Sequence, residues 1–175
     1  MELHMHSHHL VRRAPDWRAA AIAGIAAGVV FLVVEVAATM LVGASPWEPL
    51  RMAASILLGH GVTMGAQTYA PGVLVAALGV HLVLSIAFGL VLGAIIAPFQ
   101  LDSSIGMATL AGLVFGLALY AFDFHVMTLA FPWFSEGRGQ GSLAMHLVFG
   151  LVAADSYRAF ARHDKAGGRT PAQPS

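Results

Sequence analysis

Apolar residues run in long blocks along this chain, with the polar positions gathered between the blocks instead of alternating within them. A helix that crosses the roughly 30 Å hydrocarbon core of a bilayer takes about 20 mostly apolar residues. Four blocks approach or exceed that length: residues 18–43, 72–97, 105–130 and, shortest, 142–160. Alanine and leucine dominate them, so they predict helices, not strands. Between the first two blocks, Ser45-Pro46-Trp47-Glu48-Pro49 reads as a helix start, with Ser45 as cap and proline in the first turn. Leu50, Met52, Ala53, Ile56 and Leu57 then form one apolar face. At about 1.5 Å per residue this segment, residues 49–60, reaches only about 16 Å and cannot cross. It predicts an amphipathic helix lying in the outer interface.

The expected architecture is therefore all-α: a polytopic membrane four-helix bundle with a short interfacial helix between spans one and two. The membrane domain covers residues 18–161. A His-rich cytoplasmic tail, 1–17, precedes it, and a tail of Gly, Pro, Arg and Gln, 162–175, is expected to be disordered. Neither a sequence repeat nor the inverted-repeat pair of secondary transporters is evident.

Composition supports this. The 175 residues are 58% hydrophobic and 10% charged, with nine Lys/Arg balancing nine Asp/Glu, whereas soluble domains carry about 25% charged residues. Zero net charge leaves no basic field for nucleic acid. The absence of cysteine excludes disulfides, thiolate metal sites and thiol catalysis. Arg12, Arg13 and Arg18 precede the first span, and Arg158, Arg162, Lys165 and Arg169 end or follow the fourth, against only Arg51 and Arg138 in the opposite loops. By the positive-inside rule both termini are cytoplasmic, in a bacterial inner membrane. Trp17 marks the inner boundary, with Trp47 and the cluster Phe131-Pro132-Trp133-Phe134 outside. The first span is no export signal: it is longer than the roughly 7–15 residues of a signal core, and it holds a glutamate.

Glycines spaced by four (Gly24/Gly28, Gly61/Gly65, Gly89/Gly93, Gly112/Gly116) predict close helix packing. The ionisable residues inside the spans are more telling, because such groups are costly and usually face a bundle interior. Glu35, His81, Asp123, His125 and His146 all fall in the outer half, in a band of roughly 8 Å at 1.5 Å per residue. Asp123 and His125 are about 200° apart on a helix, so only one can face the centre; a lipid-facing aspartate is the costlier, so Asp123 is the expected inward member. Ser85 lies one turn from His81, Tyr120 shares the Asp123 stripe, and His60 is placed to cover the layer from outside. Three readings of the layer stay open: mutual pairing that holds the helices in register, a metal or haem site, and a proton or ion pathway. Neutral imidazole is the commonest metal ligand, often oriented by a carboxylate. A b-type haem takes two histidines at one depth, for which His81 and His125 match best, with His146 shallower. The Glu-x-x-His signature of di-iron bundles is absent. His4, His6, His8 and His9 form a separate imidazole-rich tract suited to copper, nickel or zinc. No nucleotide-binding glycine loop, nucleophile elbow or His-Glu-x-x-His is present, so the chain reads as non-catalytic.

The stretch Phe131-Pro132-Trp133-Phe134-Ser135-Glu136, followed by Ala144-Met145-His146-Leu147-Val148-Phe149-Gly150, resembles small bacterial inner-membrane proteins of the YagU-like family, whose function is unknown. The resemblance covers about a third of the chain and implies a four-helix inner-membrane protein with no established activity. The expected function is binding of a metal ion or haem in the outer-half layer, as an accessory subunit of a larger membrane complex or a homo-oligomer. The alternatives are a small proton- or ion-conducting component and a structural assembly protein without ligand.

Overall fold

The computed structural model describes residues 13–65 and 69–167, the last six by their backbone alone. The His4–His9 tract and residues 168–175 lie outside the described residues. Among the described residues five α-helices follow one another, four long and one short: α1 (Trp17–Leu41), the short α2 (Trp47–Leu58), α3 (Pro71–Phe99), α4 (Ile105–Ala121) and α5 (Gln140–Gly167), and no strand is present. α4 does not simply stop. It passes into a π-helical turn, Phe122–Val126, then a 3₁₀ turn, Met127–Leu129, and the connection to α5 holds a second 3₁₀ turn, Pro132–Gly137. α5 runs through Gly167, so the expected tail from residue 162 begins as helix.

Among the described residues, three stretches are long and apolar enough to cross a bilayer: Trp17–Leu41, Pro71–Phe99 and Ile105–Leu129. They mark the chain, by length and composition, as a multi-pass membrane protein. α5 matches them in length at 28 residues but carries His146, Asp155 and Arg158, which lower its apolarity.

Local signals fix the ends. The Asp16 carboxylate caps α1 by accepting from the Ala19 N–H at 2.9 Å, and Ser104 caps α4 by accepting from the Met107 N–H at 3.1 Å. Pro71 opens α3 where its missing N–H costs nothing. The same helix closes on Gln100 in the left-handed region (φ 53°), with the Leu101 N–H returning to the Ile96 carbonyl at 3.1 Å.

The burial pattern is that of a membrane protein turned outward. α1 buries Ala19, Ala20, Ala23, Gly24, Ala27 and Gly28 and exposes Ile22, Ile25, Val29, Val33 and Val34. Small residues inside and branched apolar residues outside suit helices that gain by close backbone approach, with lipid on the far side. A Cβ at Gly89 would lie 2.6 Å from Gly24 Cα, and one at Gly150 would lie 2.8 Å from Gly116 N. Only glycine permits either crossing, α1 on α3 or α4 on α5. Gly61 and Gly65 do no such work: both lie outside the long helices, and a Cβ on Gly61 would meet nothing within 4 Å.

α1 therefore sits between α3 and α5, and α5 between α1 and α4, while α3 and α4 scarcely touch. The closed bundle expected from sequence is open along that seam. The reason is that α3 spends Gly89 and Gly93 on α1, and α4 spends Gly112 and Gly116 on α5. What remains facing the seam is bulky, with Leu92 and Ile95 on one side and Met107, Leu110 and Val114 on the other, around a cleft of about 300 Å³.

α2 packs on α3. It buries Arg51, Ala54 and Ser55 and leaves Leu57 69% exposed. Leu50, Met52, Ala53 and Ile56 of this helix are half-buried, and Leu57 and Leu58 are exposed. Its buried face is tied to the α4–α5 connection: the Trp133 indole N–H donates to Ser55 Oγ at 2.8 Å, and His60 stacks on the Trp133 ring at 4.9 Å. At the other end of the molecule, Arg13 pairs with Asp102 at 2.7 Å, and the buried Tyr157 hydroxyl accepts from the Asp16 N–H at 3.1 Å. Those contacts tie the start of α1 to the α3–α4 connection and to α5.

Candidate functional site

A cavity of about 90 Å³ opens between the four long helices, and three of the five predicted residues line it: His81 from α3, Asp123 from the π turn and His146 from α5. Ser85 lines it too, one turn beyond His81. Phe31, Phe88 and Phe149 close much of the remaining wall. At about 30 Å³ per molecule the space suits a few waters. It falls far below the roughly 300–1,000 Å³ of small-molecule sites, so a haem macrocycle has no room.

The two histidines are held differently. His81 Nε2 lies 2.8 Å from the Gly28 carbonyl, an acceptor only, so that nitrogen carries the proton and donates. The contact staples α3 to α1 where their glycines let them approach. His146 is engaged at both ring nitrogens. Nδ1 lies 2.7 Å from the Ser142 carbonyl, one turn back on α5, and must donate to it. Nε2 lies 2.9 Å from Asp123 Oδ2. Since Nδ1 already holds a proton, a single further proton is shared between Nε2 and the carboxylate. The pair is imidazolium with carboxylate, or imidazole with carboxylic acid; in both forms its net charge is zero.

Aromatic rings enclose the pair: Phe31, Tyr120 and Phe124 stand at 5.5, 5.9 and 5.6 Å from the His146 ring, all steeply inclined to it. Glu35, on α1, adds a second carboxyl group within electrostatic reach of His146 but does not line the cavity.

His125 has turned away. It is exposed on the outer side of the π turn beside Tyr120, while His81 packs against Phe31, so the two histidines matched by depth do not face each other. A bis-histidine haem pair is not formed. His60 covers the α2 cap through Trp133 and does not line the cavity. Among the described residues no three His, Asp or Glu side chains gather as a metal ion would require. The metal reading therefore has two first-line candidates, His146 and Asp123, which are already spent on each other.

Sequence reading missed the groups that set this geometry. Phe31 and Phe124 were hidden among apolar neighbours. Ser142, one helical turn before His146, was legible as a spacing, although it is the Ser142 carbonyl, not the hydroxyl, that orients the ring. Compared with protein-family models, curated proteins and solved structures, the chain matches none of them. The resemblance to YagU-like proteins remains an expectation.

Proposed function

We propose that this chain is a proton-coupled component of a bacterial inner membrane. In this reading α1, α3, α4 and α5 all span the bilayer, both termini are cytoplasmic, and the cavity between the spans is a proton-holding site and not a metal or haem centre. One observation carries the reading: His146 donates from Nδ1 to a carbonyl that cannot accept a proton for itself, so its contact with Asp123 contains one mobile proton beside a water-sized cavity. Protonation of the pair from that cavity gives imidazolium with carboxylic acid, and loss of a proton gives imidazole with carboxylate. Glu35, on α1 and within electrostatic reach of His146, supplies a further carboxyl group for exchange. The basic residues at both ends of the chain support the cytoplasmic termini.

The test is proton movement in vesicles. The purified full chain, reconstituted with a trapped pH-sensitive dye and given a pH step with a potassium/valinomycin clamp, should equilibrate faster than empty vesicles. Asp123→Asn and His146→Gln should return it to the vesicle baseline. A wild-type rate equal to that of empty vesicles would reject the reading. Elemental analysis of the same samples adds a second check: an equimolar metal that disappears in His146→Gln would replace the proton by a metal ion.

A further inference from the structure

The Asp123–His146 pair is gripped from outside the membrane helices by two consecutive residues of the α4–α5 connection. Arg138 Nε donates to the Phe124 carbonyl at 2.7 Å, within the π turn that carries Asp123. Gly137 lies against the Phe124 ring so closely that a Cβ there would come within 2.9 Å of Phe124 Cε1. The Gly137 carbonyl in turn accepts from the Ser142 hydroxyl, and the Ser142 carbonyl accepts from His146 Nδ1. The path is closed: Phe124, next to Asp123 in the chain, at one end, and Ser142, which orients His146, at the other. We infer that Arg138 is a positioning residue of the proton site, with Gly137 as the surface that seats Phe124, and that the outer connection thereby sets the distance between Asp123 and His146.

The physical reason lies in the π turn. An underwound turn costs hydrogen-bond geometry and persists where something outside the helix supports it. Here two side-chain donors do so, Arg138 on the Phe124 carbonyl and Thr128 on the His125 carbonyl at 3.0 Å. The underwound turn lets the adjacent residues Asp123 and Phe124 both reach His146, one by its carboxylate and one by its ring. Without the guanidinium the turn loses a charge-assisted hydrogen bond, and regular winding would carry Phe124 off the imidazole. Arg138 is itself exposed apart from this contact, so the grip is accessible from the outer face.

This inference rests on the proton reading for its consequence but not for its geometry, and the experiment separates the two. Histidine-labelled full chain in lipid is followed by ¹⁵N NMR, which reports the His146 Nε2 proton directly, alongside the vesicle proton assay. Arg138→Ala should shift the Nε2 resonance toward that of a free imidazole nitrogen and slow proton equilibration about tenfold, the factor set by losing a hydrogen bond to a charged group. Arg138→Lys, which restores a cationic donor, should recover both signals. Gly137→Ala should displace the Nε2 resonance with the charge left in place, and it keeps the test open if Arg138→Ala fails to fold. Wild-type-like Nε2 resonances in both Arg138→Ala and Gly137→Ala would overturn the inference, whatever the flux. A wild-type chain with no flux but with the Nε2 shift in Arg138→Ala would reject the proton function and keep the positioning role.

Discussion

Replacing Asp123 and His146 by alanine, singly and together, measures whether their contact is a charged pair or an ordinary polar one. The Nε2–Oδ2 distance is 2.9 Å, with the histidine side chain 10% exposed and the aspartate 25%. A neutral hydrogen bond between membrane helices is worth about 0.6 kcal/mol on average in double-mutant cycles. A hydrogen bond to an ionised group is worth about 1.5–3 kcal/mol. Orphaning one partner of a fully buried pair costs about 3–5 kcal/mol, and the partial exposure of Asp123 scales that down. Each single substitution is therefore expected to cost about 2–3 kcal/mol. The double substitution should cost little more than either single, giving a coupling of about 2 kcal/mol. Reversible unfolding in mixed micelles by added dodecyl sulfate, read by helical circular dichroism, supplies all four free energies. Additive single substitutions, with a coupling no larger than about 0.6 kcal/mol, would refute the charged pair and leave a contact that merely fills hydrogen-bonding capacity.

The same unfolding assay distinguishes the glycines. Gly116→Ala places a methyl against the His146 carbonyl and 2.9 Å from Leu147 Cα, and should cost about 1–3 kcal/mol, whereas Gly79→Ala meets nothing within 4 Å and should be neutral or gain up to about 1 kcal/mol. Trp133→Phe keeps a ring for His60 to stack on but removes the donor to Ser55, so α2 should exchange its amide hydrogens faster, with about 1 kcal/mol lost locally; unchanged exchange in α2 would show that the connection does not hold it. Reporter fusions after Arg162 and after Pro98 should read as cytoplasmic and those within residues 48–70 as periplasmic; a periplasmic report after Arg162 would remove α5 from the set of spans.

The helices were legible because the physics that makes them is local. Long apolar blocks set the starts of α1, α3 and α4 to within a residue, whereas α5 runs seven residues beyond its expected end. Which faces they bury was legible where glycine and alanine lined up, as on α1, because close approach in a membrane needs small residues. On α2 the apolar positions read for the interface left unmarked the residues that pack on protein, Arg51, Ala54 and Ser55.

The polar layer divides in the same way. Counting residues along helices put Glu35, His81, Asp123, His125 and His146 at one expected depth, of which His81, Asp123 and His146 meet at one cavity, and the inward choice of Asp123 over His125 followed from the cost of a charge in lipid. Depth, however, says nothing about which helices are neighbours. His81 and His146 belong to α3 and α5, which meet through α1 more than with each other, so each histidine found its partner on a different helix, Gly28 on α1 or Asp123 on the continuation of α4. The layer forms two separate staples beside a shared cavity. The α4–α5 connection was least legible of all, since a π turn leaves no mark in composition and the Arg138 contact spans fourteen residues of irregular chain. The aromatic residues there read as interface anchors, which accounts for Trp133 but not for Phe124, whose ring faces inward onto His146. Membrane helices set the coarse geometry from within their own segments. The ångström that brings Nε2 to Oδ2 comes from a loop outside them, and a loop's contacts are decided by the assembled fold.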